Sequence, residues 1–377
     1  MNQRAQLRIA LVSDAVLPFH KGGKESRIDY FAHALVGLGH DVHIYTMKWW
    51  DGPSKTYHSD GITFHAISKL YPLYKNKRRS FKEGIFFGLA CLKMLRYNWD
   101  ILEADHMPYF PLFALRFVNI FKRKPFFATW HEAVGLKAWR SYIGTPAGTV
   151  AYVLERLALA MPHHIIVVSE RTRELLRQEF NYKKPMTLVA NGIDYGTIHD
   201  APASKVKSDI MFAGRLVRHK RVDLLLDAVA ILIKTMPKLR IAIVGGGPAL
   251  DDIRAQVQRL KLEKNVTVTG RLEDSRDVYS YMKASKVFVS PSTREGFGIT
   301  ILEAYAAGLR VVTVKHPDNA AQYLIRPGAG AVSELNAEAL AEAIRHQLAQ
   351  AKKPLAIDGA QFDWSRSVAA LKKAYKI

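Results

Sequence analysis

Short apolar runs alternate with stretches of helical periodicity along almost the whole chain. Apolar runs bounded by Gly, Pro, Asn or Asp predict strands buried on both faces. The helical stretches between them predict crossovers, and together they specify parallel sheets built from βαβ units. In the first half the strands fall near 8–13, 41–46, 101–103, 125–129, 165–169 and 186–190; in the second half they fall near 208–213, 240–244, 265–269, 287–290 and 310–314. Asn191-Gly192-Ile193-Asp194 opens a polar stretch to Ser208 that reads as a linker. The expected division is therefore 1–195, 196–362 and a final helix over 363–377, capped by Asp363 or Ser365. Two doubly wound halves of similar size place the expected ligand site in a cleft between them.

Composition changes this picture little. A chain of 377 residues with 49% hydrophobic residues can fill two cores. Cys91 is the single cysteine, so no intramolecular disulfide forms and a reducing compartment is expected. Arg8-Ile-Ala-Leu-Val-Ser13 reads as a strand and not as the core of a signal peptide, and no uncharged apolar run reaches membrane-spanning length. A soluble or at most peripheral protein is the expectation. The formal net charge of +21 demands a partner. It divides evenly: residues 1–200 hold 27 Lys and Arg against 17 Asp and Glu, and the remainder holds 28 against 17, which argues against a nucleic-acid-gripping tail. Density is local instead, with eight cations and one acid, Glu83, between Lys69 and Arg96.

The chemistry concentrates at Glu295-Gly-Phe-Gly-Ile-Thr-Ile-Leu-Glu303. Gly296 and Gly298 let backbone approach a ligand, and the amides that open the following helix near Ile299 and Thr300 form an anion site. A carboxylate at each end suits a sugar that bears a diphosphate. Met211-Phe-Ala-Gly214-Arg215, with Lys220 five residues beyond the arginine, brings two cations to the end of a parallel strand. The pair of segments resembles the E-x7-E and G-R-x4-K elements of retaining nucleotide-sugar glycosyltransferases of family 4. That family has the GT-B fold: two Rossmann-like domains facing a central cleft, with a C-terminal helix crossing back to the N-terminal domain. The family usually has Gly after the lysine, where this chain has Arg221. Gly245-Gly246-Gly247-Pro248 lacks dinucleotide-fingerprint spacing and reads as structural.

The resemblance assigns Arg215 and Lys220 to the donor diphosphate and the leaving group, Glu295 to the sugar hydroxyls and Glu303 to the ribose diol. Gly296, Phe297, Gly298, Ile299 and Thr300 line the donor, and Arg271 and Leu272 read the base. In the N-terminal half, Lys21-Gly22-Gly23-Lys24-Glu25 looks like the family's G-G-x-E loop, so Gly22 and Gly23 join the donor site. His131, after the strand at 125–129, matches the family's active-site histidine, which contacts the donor sugar near its C6 hydroxyl and the acceptor face. Asp105-His106 forms a second cluster at the same edge.

No D-x-D sequence occurs and no Cys/His set has metal-ligand spacing, so no cofactor and no metal are expected. The implied activity is retaining hexosyl transfer from a UDP- or GDP-linked sugar to a hydroxyl. A nucleotide-sugar 2-epimerase of the same fold is the alternative enzyme. A basic nucleic-acid-binding protein is the alternative of another class, with no helix-turn-helix, zinc or RNP-type pattern to support it. The cations Lys75, Lys77, Arg78, Arg79 and Lys82, beside Tyr71, Tyr74, Phe81, Phe86 and Phe87, predict a peripheral anchor on the inner face of the cell membrane. A lipid or lipid-linked saccharide in cell-envelope synthesis is then the expected acceptor.

Overall fold

Each expected apolar run becomes a parallel strand in a computed structural model, which describes residues 6–20, 22–75, 78–351, 353, 355 and 357–377. The chain divides into two compact units, 1–191 with 367–377, and 192–366.

The first unit runs β1 (Arg8–Val12), α1 (Gly23–Gly37), β2 (Asp41–Met47), β3 (Thr56–Ser59), β4 (Ile62–Ser68), β5 (Tyr74–Lys75), β6 (Arg78–Arg79) and α2 (Phe81–Ala90). After a 3₁₀ segment, Cys91–Arg96, it continues with β7 (Ile101–Asp105), α3 (Phe110–Lys122), β8 (Phe126–Trp130), α4 (Gly135–Ile143) and α5 (Thr145–Ala158). It ends with β9 (His164–Val167), α6 (Glu170–Phe180) and β10 (Met186–Leu188). Eight of the described strands form a sheet in the order β10-β9-β8-β7-β1-β2-β4-β3, parallel except for the β3 edge, and β5 and β6 form a separate antiparallel pair. Ala10, Val12, Leu102, Ala104, Phe126 and Ala128 face one core, covered by Phe87 and Met94, Leu112 and Leu115, and Ala151 and Ala158 from successive helical segments. Helix starts follow the expected chemistry: Ser80 accepts from the Glu83 amide and Ser169 from the Thr172 amide.

The second unit runs α7 (Tyr195–Asp200), β11 (Ile210–Ala213), α8 (Val222–Leu232), β12 (Ile241–Val244), α9 (Leu250–Arg259), β13 (Val266–Gly270) and α10 (Ser275–Lys283). It continues with β14 (Val287–Ser290), α11 (Ile299–Ala306), β15 (Arg310–Val314), β16 (Gly330–Ser333), α12 (Ala337–Gln350) and the first three residues of the closing helix α13 (Trp364–Tyr375), whose remainder from Ser367 belongs to the first unit. Its sheet has the order β13-β12-β11-β14-β15-β16, parallel throughout. Ile210, Ile241, Val287 and Val312 pack with Leu225 and Val229 of α8 and with Leu340 and Ile344 of α12.

The observed unit edges lie four residues from the expected boundaries, at 191 instead of 195 and at 366 instead of 362. The reason is local. The Ile193 amide donates to the Phe362 carbonyl and the Trp364 amide to the Ile193 carbonyl, at 3.0 and 3.3 Å. Gly192 lies so close that a Cβ there would meet Trp364 backbone at 2.5 Å. Residues of α13 beyond Arg366 belong to the first unit, where the Tyr375 hydroxyl donates to the buried Glu103 carboxylate. Thr129 donates to the other Glu103 oxygen at 2.6 Å. Tyr375→Phe leaves one carboxylate oxygen short of a donor. It should destabilise the first unit by about 1–3 kcal/mol, read as a lower urea midpoint with an unchanged slope.

Candidate functional site

In a doubly wound sheet, ligands bind beyond the carboxyl ends of the strands, where the strand order reverses. In the first unit that point lies between β1 and β7, and in the second between β11 and β14.

In the first unit, β1 delivers Ser13 and Asp14, β7 delivers Asp105 and His106, and β8 delivers His131. His131 Nε2 lies 2.7 Å from Asp105 Oδ1, and its backbone amide donates to His106 Nδ1 at 3.3 Å. Lys24, one residue into α1, pairs with Asp14 and reaches Asp105 at 3.6 Å and Glu25 at 3.9 Å. Burial pushes the Asp105 carboxyl upward, but Lys24, the His131 hydrogen bond and Ser13 outweigh it and hold its pKa at about 2. An ionised carboxylate only accepts, so Nε2 of His131 carries the hydrogen. Burial, reinforced by His131, lowers the His106 pKa to about 3, so that ring stays neutral. Gly22 caps α1 with no side chain, and a Cβ there would come within 2.5 Å of the Glu25 carboxylate; Gly23 faces open space. Glu25 in turn pairs with His20 at 3.3 Å.

Arg79 corrects one expectation. The sequence puts it among the membrane cations, whereas its guanidinium turns inward to Asp14 and lies 3.6 Å from Glu83. A buried carboxylate attracts a nearby guanidinium more strongly than a solvated surface does. Lys75 and Arg78 lie in the short β5–β6 hairpin, Lys77 falls outside the described residues, and Lys82 is exposed on α2.

In the second unit, β11 and β14 are neighbours, so Gly214-Arg215 and the 291–298 loop leave the same edge. Lys220 pairs with Glu295, both largely buried. The contact is reinforced where Thr293 donates its amide and hydroxyl to the His219 carbonyl. The Glu295 backbone is held too: its amide donates to Asp318 and its carbonyl accepts from Ala320, at 3.0 and 2.8 Å. Arg221 takes the left-handed conformation, φ 50°, where the family has glycine, and pairs with Asp223 at 3.0 Å. Gly298 has φ 94° and caps α11, and a Cβ there would strike Ala321 Cβ at 2.5 Å, so glycine is required twice over. Phe297 is buried beside it, and Ile299 and Thr300 open α11. Glu303 accepts from the Tyr279 hydroxyl at 3.0 Å. Gly245 lets its loop lie on the Gly214 carbonyl, where a Cβ would sit at 1.9 Å, and Arg271 with Leu272 follows β13 at the same edge. Among the described residues, no group of three or more His, Cys, Asp or Glu side chains could hold a metal ion.

Thus the structure brings together Lys220 with Glu295, and His131 with Asp105. Sequence reasoning missed Lys24, Asp14, Thr293 and Tyr279. Lys24 lies inside the glycine loop that was noticed. Tyr279 carries no signal, because its partner is 24 positions away on another helix.

With this geometry described, comparison with known proteins is informative. A family model described as Glycosyltransferase Family 4 matches residues 21–196, and one described as Glycosyl transferases group 1 matches 197–360. The chain is 28% identical over 314 residues to the phosphatidylinositol N-acetylglucosaminyltransferase gpi3 subunit of Schizosaccharomyces pombe, covering 81% of this chain and 65% of that protein. It is 27% identical over 333 residues to the alpha-monoglucosyldiacylglycerol synthase of Streptococcus pneumoniae, covering 82% and 72%. Sucrose-phosphate synthase from Thermosynechococcus elongatus superposes with a TM-score of 0.83 at 20% identity, over 98% of each chain. Two doubly wound sheets with this pairing of segments define the GT-B architecture. The chain belongs to family 4 of the glycosyltransferases.

Behind the His131 loop lies a buried carboxylate. Glu155 of α5 accepts from the Val134 amide at 3.1 Å and Trp139 Nε1 at 2.7 Å, tying the start of α4 in place. Burial raises its pKa to about 7, against the opposing pull of those donors. The folded state therefore holds a proton that the unfolded chain releases near its ordinary value of 4.5. The associated stability is complete below that value and is lost as pH rises through 7, amounting to roughly 3 kcal/mol. Glu155→Gln cannot titrate. Its melting temperature should fall less than that of the wild type between pH 5 and pH 8, and superimposable pH profiles would refute the assignment.

Proposed function

We propose that the protein is a retaining, metal-independent hexosyltransferase that moves a sugar from a UDP- or GDP-linked donor to the hydroxyl of a lipid or lipid-linked saccharide, in cell-envelope glycan synthesis at the inner face of the cell membrane. The observation that carries this reading is the Lys220–Glu295 pair at the β11–β14 switch point, beside the start of α11. A diphosphate needs cations and oriented amides, and a sugar needs a carboxylate to accept from its hydroxyls; here both stand on adjoining loops. The lipid acceptor rests on likeness to the relatives named above, whose own names specify phosphatidylinositol and diacylglycerol glycolipids.

In this mechanism the C1–oxygen bond to the diphosphate breaks and a bond from C1 to the acceptor oxygen forms on the same face. The acceptor proton passes to the departing diphosphate, so no enzyme nucleophile is needed. Arg215, Lys220 and the amides of Ile299 and Thr300 stabilise the leaving charge. Glu295 holds the sugar hydroxyls, and Glu303, steadied by Tyr279, holds the ribose diol. Arg271 and Leu272 present backbone to the base. His131, oriented by Asp105, serves the acceptor side.

Thermal-shift screening against UDP-, GDP- and ADP-linked sugars tests the donor class, since a ligand at a hundred times its Kd stabilises by about 2.7 kcal/mol. Product analysis should then show sugar on the acceptor with unchanged anomeric configuration, and activity that persists in chelator. Glu303→Ala should raise the donor KM with kcat nearly kept, whereas Glu295→Ala should lower kcat. Equal small effects from both, or stabilisation by none of the nucleotides, would overturn the reading.

A further inference from the structure

Helix α2 is built inside out. Its inward side carries Gly84 and Gly88, where a Cβ would meet Pro108 Cβ at 2.9 Å and Phe110 Cβ at 2.6 Å, so the helix seats directly on the start of α3. Its outward side, continued by the 3₁₀ segment, presents Phe81, Ile85, Leu89 and Leu92 at spacings of four, four and three, one stripe of a helix. Beside it α3 exposes Phe117, Ile120 and Phe121, and α5 exposes Val150, Val153 and Leu157. The three helices cover one face of the same sheet. Among the described residues, these segments hold twelve of the seventeen exposed large apolar side chains, and the second unit holds three. Exposed apolar side chains concentrated in this way on the helices of one sheet face mark a docking face.

Charge selects the occupant. Residues 81–96 and 110–124 carry seven cations and one acid, Glu83, which is fully buried. Lys82, Arg96 and Arg123 are exposed at the margins, and Phe86 stacks on Tyr71 at 5.1 Å with Lys69 over that ring at 5.2 Å. Apolar side chains ringed by cations, with no exposed carboxylate among those residues, fit the headgroup–acyl boundary of an anionic bilayer. No helix among the described residues is long and apolar enough to cross a membrane, so the contact is interfacial.

We infer that the outer face of α2, the 91–96 segment and α3 docks on an anionic lipid surface, through apolar insertion as well as charge. This deepens the lipid-acceptor reading and rests on it. It also moves the contact away from the β5–β6 hairpin, whose Arg79 is spent on Asp14.

The test is sedimentation of the full chain with vesicles of phosphatidylcholine alone or of equal parts phosphatidylcholine and phosphatidylglycerol. Wild type should pellet with the anionic vesicles. Leu89→Ser with Leu92→Ser and Phe121→Ser should bind at least about ten-fold more weakly, because each loses an inserted side chain. Lys82→Ser with Arg123→Ser should lose binding as salt is raised sooner than wild type. Unchanged melting temperature and unchanged stabilisation by the nucleotide sugar establish that the variants fold. Wild type left in the supernatant, serine variants that bind equally, or a dimer that the serine variants dissociate would each overturn the inference. The last outcome assigns the face to a second copy of the chain. Failure of every nucleotide sugar to bind would instead refute the transferase reading, and vesicle sedimentation does not depend on it.

Discussion

A carboxylate with no access to water must be matched by cations or it will not stay ionised, and Asp14 imposes that constraint on the N-terminal unit. It sits at the end of the first strand, fully buried, and draws two cations from opposite directions in the chain. Lys24 comes from the start of α1 and extends the attraction to Asp105, which in turn orients His131. Arg79 comes from the β5–β6 hairpin and reaches on toward Glu83 of α2. The geometry of the histidine and the seating of α2 thus meet at one oxygen pair. The second unit solves the corresponding problem with Lys220 and Glu295, whose pairing fixes two loops that leave adjacent strands.

Much of the fold was legible because parallel strands buried on both faces leave uninterrupted apolar runs, and all eleven expected runs correspond to strands. β3 and β4 were not foreseen. Their residues, Thr-Tyr-His-Ser and Ile-Thr-Phe-His-Ala-Ile-Ser, alternate apolar with polar as befits a sheet margin, and an apolar-run criterion passes over them. β16, Gly-Ala-Val-Ser, is another edge strand, too short and small to register.

The site was legible wherever its chemistry is local in sequence. Glu295, Gly298 and Glu303 announce themselves by spacing, and Gly298 is required by its backbone angle and its contact with Ala321. Groups recruited across the fold left no such mark. Tyr279 and Thr293 are ordinary residues whose importance comes from the tertiary contact. Arg79 shows the opposite error: a cation within a basic run looks solvated until a buried carboxylate claims it.

The glycines of α2 bear on which substitutions this surface can absorb. On most surface helices the inner positions are fixed by packing while the outer ones drift freely. Here any side chain at Gly88 would strike the backbone of Phe110 at 2.8 Å, so the inner face admits no growth. The outer face holds large apolar groups against water, which only a partner can reward. Neutral drift has almost nowhere to act on this helix, and a polar residue appearing at Leu89 or Leu92 would lighten the folded chain's solubility burden while erasing whatever contact those residues serve.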